Sequence, residues 1–214
     1  MINPAGASLS RRLTAAAEAA GLSLDPVDAE RISGYLGLLA KWNQRINLTA
    51  LPLDGFPPTT LSRLVIEPLQ GAARLGRIDG LWLDLGSGGG SPAIPMAIVS
   101  GNPELVMVES RGRKAAFLRE AVQACGLSRA RVISERIETL SASAFRDVRL
   151  VTARAIRVDR CIAEVVRDLV APTARILLFG PTDWAELADF AEVEWSSGTE
   201  MTLLRVPRGT HLVI

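Results

Sequence analysis

Residues 80–92 read GLWLDLGSGGGSP, an apolar run from Leu81 to Leu85 that stops in four glycines within five residues. A short apolar run followed at once by glycine reads as a strand ending in a turn, where the backbone needs positive φ or comes close to something else. The next residues, SPAIPMAIVS (91–100), are helix-like. Strand, glycine turn and helix in that order are the repeating unit of a doubly wound sheet. The turn then lies at the carboxyl end of the strand, where such folds bind ligands.

The pattern continues downstream. LVMVE (105–109), ARVISE (130–135), VRLVTA (148–153) and ARILLF (174–179) are strand-like, and RKAAFLREAVQACG (113–126) and DRCIAEVVRDLVA (159–171) are helix-like. Such alternation implies an α/β fold with a parallel sheet covered on both faces. AEVEWSS (191–197), MTLLRVP (201–207) and THLVI (210–214) have no helical crossover between them, which predicts an antiparallel C-terminal edge.

Upstream the texture is helical. SLSRRLTAAAEAAG (8–21) ends in Gly21, and DPVDAERISGYLGLLAKWNQRINL (25–48) begins with Asp25 as cap, Pro26 at the first helical position and Asp28 in the first turn. Ile32, Tyr35, Leu36, Leu39 and Trp42 recur at three- and four-residue steps as one buried stripe. After the break at LPLDGFPP a third helix is expected from Thr59 to Leu75. Residues 1–78 thus read as a helical extension packed on a ligand-binding domain, 79–214.

With 214 residues, 48% of them hydrophobic, the chain can build one large core. No apolar stretch approaches the roughly 18 residues of a membrane span, and MINPAGASLSRR lacks the charged-then-apolar order of a signal peptide, so a cytoplasmic protein is expected. Cys125 and Cys161 have no metal-ligand spacing and read as reduced core thiols; no metal is expected. The net charge of +1 hides an asymmetry, because the stretch from Arg111 to Arg167 is basic and the remainder acidic. If Arg111, Arg113, Lys114, Arg146 and Arg157 share a face, they suit a phosphate-bearing partner.

The glycine turn does not fit a dinucleotide fingerprint, since Ser91 stands where G-x-G-x-x-G needs its third glycine. Asp84, just before the turn, would repel a pyrophosphate but could hold a cationic group, as S-adenosylmethionine carries. Glu109 ends the next strand, where an acidic side chain accepts hydrogen bonds from ribose hydroxyls.

LLAKWNQRINLTA, DLGSGGGSPAIPMAI, LVMVESRGRKAAFLREAV, ERIETL, VTARAI and RGTHLVI together resemble the bacterial glucose-inhibited division protein B family. The resemblance covers nearly the whole chain. It implies a Rossmann-like class I methyltransferase fold, S-adenosyl-L-methionine as cofactor, and methylation of N7 of a guanine in 16S ribosomal RNA, naked or in a small-subunit precursor. A monomer is expected. Carried over by position, Gly86, Gly88 and Ser91 would line the methionine side of the cofactor, Asp84 would orient that end and Glu109 would hold the ribose. Arg136, Ile137 and Glu138 would lie by the adenine, and Arg154 would meet cofactor and substrate.

The chain departs from the family pattern in a few places. Where many members carry R-H-x-x-D-S this chain has RLVIEP, with Leu64, Glu67 and Pro68 at the altered positions; Phe179 replaces a usual lysine, and Ser91 and Ala93 stand in the glycine loop. These residues leave open a methyltransferase acting on another acceptor, or a cofactor- and RNA-binding protein without catalysis. Guanine N7 has an in-plane lone pair and no proton to lose, so no general base is required. His211, the only histidine, reads as an edge-strand residue, and Arg154 is expected to position the acceptor through phosphate or guanine O6.

Overall fold

The structure, a computed structural model, describes residues 4–208 apart from 142, 146, 182, 198 and 199. Arg146, His211 and the THLVI segment therefore lie outside the described residues. The strands are β1 (Leu81–Leu85), β2 (Leu105–Val108), β3 (Ala130–Ile133), β4 (Val148–Arg154), β5 (Val170–Phe179), β6 (Glu192–Ser196) and β7 (Met201–Arg205). They form one sheet in the order β3-β2-β1-β4-β5-β7-β6. The first five are mutually parallel; β7 runs antiparallel to both β5 and β6, giving the expected antiparallel edge. Strand order reverses beside β1, so its carboxyl end is the switch point at which ligands bind in such sheets.

Side chains alternate across the sheet. Trp82, Leu105, Met107, Leu150, Leu177 and Phe179 enter one apolar cluster, whereas Leu83, Leu85, Val106, Val108, Val151 and Leu178 enter the other. Both faces are covered, which is why the central strands read as continuous apolar runs. The first cluster is completed by α1 (Pro4–Ala19), α2 (Pro26–Asn43), α5 (Ala93–Val99) and α6 (Gly112–Ala124). The second is closed by α7 (Arg160–Leu169), Phe145, Leu187 and Phe190.

Capping in α2 is as the sequence predicts: Asp25 accepts from the Val27 N–H at 2.8 Å, with Pro26 following. Ile32, Tyr35, Leu36 and Leu39 are fully buried, at about 1.5–3 kcal/mol for each large side chain. This stripe fastens the N-terminal helices to the same core as Trp82 and Phe117.

Two expectations are corrected. Cys125 is a buried thiol whose burial pushes its pKa up to about 11, but Cys161 is exposed, because α7 turns Ile162, Ala163, Val166 and Leu169 to the sheet and leaves Cys161 outside. The third helix is not uniform. It consists of α3 (Pro58–Leu61), a π-turn (Ser62–Ile66) and α4 (Glu67–Leu75). Among the described residues no helix is long and apolar enough to cross a membrane, and no cluster of side chains could hold a metal.

Candidate active site

The glycine turn leaves β1 with Gly86 at φ +67° and returns with the Ser87 N–H bonded to the Val108 carbonyl at 3.0 Å. The N-terminal helices brace it from outside. Tyr35 donates its hydroxyl to the Gly89 carbonyl at 2.6 Å. Asn43, at the end of α2, accepts from the Leu48 and Thr49 N–H groups at 2.8 and 3.0 Å, folding residues 43–49 into a loop that lies on the turn. A Cβ on Gly89 would stand only 3.1 Å from the Leu48 carbonyl oxygen, so a larger residue there would push this loop away.

Beyond the carboxyl ends of β1, β2 and β3 lies a cleft of about 250 Å³, whose walls include Gly86, Glu109, Arg136, Ile137, Glu138, Ile156 and Arg157. Glu109 is 7% exposed and ties two neighbouring elements together. Its Oε2 accepts from the Gly88 N–H at 3.0 Å and its Oε1 from the Arg111 N–H at 2.8 Å, at the start of α6. Ile137 opens a 3-10 turn (Ile137–Thr139), flanked by an exposed Arg136–Glu138 ion pair at 2.9 Å. Ile156, from the segment after β4, lies directly over Gly86: a Cβ there would stand 2.5 Å from Ile156 Cγ2. Apolar walls from Ile137 and Ile156 with carboxylate acceptors from Glu109 and Glu138 fit a purine nucleoside. S-adenosylmethionine contains one.

On the other face of β1, Trp82 Nε1 donates to Thr152 Oγ1 at 2.8 Å, and Thr152 Oγ1 donates to Asp84 Oδ1 at 2.5 Å. Asp84 is 1% exposed, and its Oδ2 has no partner. Burial pushes its pKa up to about 6, against the opposing pull of the nearby Ser87 hydroxyl, of the Thr152 hydrogen bond and of the Arg154 charge. A buried carboxylate oxygen left without a donor suits a ligand ammonium group.

Arg154 ends β4 on that same face. Its guanidinium stacks over Phe179, 4.8 Å from the ring centroid, and one Nη bonds Glu67 Oε2 at 3.1 Å. The other Nη bonds the Arg63 carbonyl. The side chain is 14% exposed, burial draws its pKa down to about 10, and its Nε is buried without a partner.

The local helix chemistry explains why that carbonyl is available. In the π-turn the Glu67 N–H bonds Ser62, five residues back, and so bypasses Arg63. Pro68 has no N–H, which deprives Leu64 of its donor four residues on. The two carbonyls left over are the two that accept from elsewhere: Arg63 from Arg154, and Leu64 from Ser91 Oγ at 2.9 Å. Pro68, Ser91, Glu67 and Phe179, separate oddities in the sequence, meet here in one network.

The cleft thus brings together Gly86, Glu109, Arg136, Ile137 and Glu138, with Arg157 on its wall; Asp84, Gly88, Ser91 and Arg154 are not among its walls. Gly88 meets it through Glu109, and Ser91 turns its hydroxyl to the π-turn. Arg111 and Arg113 are exposed at the start of α6 and Lys114 is half-buried. Neither Tyr35 nor Ile156 carries any site signal in the sequence. Asn43 has a local one, its place inside W-N-x-x-x-N-L-T.

The chain is similar to known proteins along most of its length. The family described as rRNA small subunit methyltransferase G matches residues 28–207. A ribosomal RNA small subunit methyltransferase G of Paracoccus denitrificans is 36% identical over 173 residues, covering 78% of this chain and 84% of that protein. One from Stenotrophomonas maltophilia is 36% identical over 191 residues, covering 88% and 85%. Among solved structures, a glycopeptide N-methyltransferase complexed with S-adenosyl-L-methionine superposes with a TM-score of 0.53 at 13% identity, over 66% of this chain and 92% of that one. At that identity the likeness concerns the class I methyltransferase fold.

Proposed function

From the premise that this chain belongs to the rRNA small subunit methyltransferase G family, we propose that it is an S-adenosylmethionine-dependent enzyme that methylates N7 of a guanine in 16S ribosomal RNA. The observation that carries the reading is the convergence of the family's motif residues, distant in sequence, on the carboxyl edge of β1, β2 and β4.

The cofactor supplies an electrophilic methyl group on a sulfonium. When it is bound, Glu109 and Glu138 would offer acceptors to the ribose side, Ile137 and Ile156 would flank the adenine, and Asp84 Oδ2 would meet the cationic end. Because N7 gives up no proton, the protein's contribution is alignment, worth about 7–11 kcal/mol in favourable intramolecular cases. Exposed Arg111, Arg113 and Arg157, with Lys114, attract RNA phosphates around the cleft. Residues 1–78 act as an extension that braces the glycine turn through Tyr35 and the Asn43 loop. The enzyme works as a cytoplasmic monomer on ribosomal RNA or a small-subunit precursor.

The deciding measurement is nucleoside mass spectrometry of 16S RNA from cells with and without this protein, mapped by cleavage at 7-methylguanosine. Loss of one 7-methylguanosine on deletion, restored by the purified protein, is expected. An unchanged profile refutes the acceptor assignment.

A further inference from the structure

The carboxyl edge of the sheet divides into two halves. The cleft lies beyond β1, β2 and β3 and is closed on the β4 side by Ile156 and Arg157. The methyl acceptor must therefore approach over β4 and β5, the half covered by the π-turn. Three ionic side chains meet there, and they differ sharply in what they can reach. Arg154 is 14% exposed with both Nη atoms engaged by the protein and one face on Phe179. Glu67 is 6% exposed and gives one oxygen to each arginine. Arg63 is 39% exposed and is held at a single point, by Glu67 Oε1 at 3.1 Å. Its Nη2 stands over Gly180, just beyond β5, 3.7 Å from where a Cβ would be, and neither Nη2 nor Nε makes a hydrogen bond among the described residues.

We propose that Arg63, not Arg154, is the cation that meets the acceptor guanine, donating from its free Nη2 edge to O6 while Glu67 holds its other Nη. The inference rests on the guanine-N7 reading above. O6 is the acceptor adjacent to N7 on the base edge, so a donor placed on O6 fixes the N7 lone pair toward the methyl donor without covering it. Arginine suits this division, since one guanidinium can be tethered and still present further N–H groups in a fixed fork. Phosphates lie farther out, where Arg111 and Arg113 are exposed. Arg154 then becomes a positioning residue: its bond to the Arg63 carbonyl fixes the π-turn, and its pair with Glu67 sets the carboxylate that tethers Arg63.

The test crosses an enzyme variant with a base analogue. Once the modified guanine is mapped, RNA carrying guanine or 2-aminopurine at that position is made; the analogue keeps N7 and lacks O6. Wild type and Arg63→Ala are assayed for kcat/KM on both RNAs, with cofactor binding by calorimetry and circular dichroism as controls. Wild type is expected to discriminate against the analogue by about ten- to a hundredfold beyond the intrinsic difference in N7 reactivity, the range of a hydrogen bond to a charged donor. Arg63→Ala is expected to lose a similar factor on guanine and to show only the intrinsic difference between the two RNAs. Its cofactor affinity should stay within about twofold of wild type, since Arg63 lies outside the cleft.

Equal losses by Arg63→Ala on both RNAs would overturn the O6 contact in favour of a phosphate or purely structural role, as would full activity of the variant. If Arg63→Ala loses its fold, Arg63→Met carries the comparison. A methionine keeps the length of the side chain and has no N–H for O6, so undiminished discrimination in Arg63→Met also overturns the proposal. Absence of transfer by wild type to either RNA would overturn the guanine-N7 reading and this contact with it, whereas the preceding outcomes overturn the contact alone.

Discussion

Replacing Asp84 by Asn should make the protein more stable above pH 6 while weakening its hold on the cofactor. Asp84 is buried, with a partner on Oδ1 and none on Oδ2, and its pKa is pushed from 3.8 up to about 6. The folded state therefore binds the proton more tightly than the unfolded chain. Below about pH 3.8 both states are protonated and no penalty arises; between 3.8 and 6 the unfolded chain ionises first; above 6 the full penalty, on the order of 3 kcal/mol, is in place. Asn retains the acceptor for Thr152 Oγ1 and cannot ionise. Its amide lacks a partner where Oδ2 lacks one, which subtracts about 1 kcal/mol or more from the gain. Thermal unfolding without cofactor from pH 4 to pH 8 should show Asp84→Asn melting about 4–8 °C above wild type at pH 8, with the gap closing toward pH 4. Calorimetry at pH 8 should show the reverse order for S-adenosylmethionine affinity. A variant less stable than wild type at pH 8, or a gap that does not change with pH, would refute the reasoning.

Four further substitutions probe the network and the cleft. Ser91→Ala removes the side-chain donor to the Leu64 carbonyl and should destabilise by about 1 kcal/mol. In a Pro68→Ser background, where an N–H is restored near that carbonyl, the loss from Ser91→Ala should shrink, and an unchanged loss in a urea-unfolding cycle would show that the two positions are independent. Arg154→Ala leaves Glu67 with one cation where it had two and uncovers Phe179, so it should cost on the order of 3 kcal/mol or more, read as a lowered urea midpoint. Gly86→Ala places a methyl 2.5 Å from Ile156 Cγ2 at φ +67°, and should weaken cofactor binding by tenfold or more in calorimetry, since the wall over the cleft has to shift.

Strand periodicity and the position of the glycines make the parallel sheet, its antiparallel edge and the place of the cleft legible in the sequence. Gly86, Glu109 and Ile137 meet because each follows the carboxyl end of a parallel strand, and that rule applies to sequence alone. Tyr35 illustrates what periodicity hides. It falls on the apolar stripe of α2 and is fully buried, yet its hydroxyl is spent on the Gly89 carbonyl, and a pattern of apolar spacing records the ring and not the oxygen. Ile156 is hidden for a different reason: an isoleucine after a strand signals nothing until its partner, a glycine seventy residues earlier in the chain, is known to lie beneath it. The burial of Cys161 is ambiguous in sequence because two helical faces are equally compatible with DRCIAEVVRDLVA until the sheet selects Ile162 and Val166.

The altered RLVIEP segment shows how departures from a family pattern are better weighed in space than one at a time. Read singly, Pro68 breaks a helix, Ser91 is a polar residue in a glycine loop and Phe179 is a lost cation. In the fold Pro68 deprives Leu64 of a donor and Ser91 supplies one; Phe179, lying beneath Gly71 of α4, gives the Arg154 guanidinium an aromatic face. A lysine at 179 would set a second cation against Arg154 in a site that is 1% exposed, where like charges are poorly screened. Pro68 and Ser91 thus meet at the Leu64 carbonyl, and Glu67 and Phe179 at the Arg154 guanidinium. Together they hold Arg154 inside the protein and leave Arg63 exposed on the π-turn, outside the walls of the cleft.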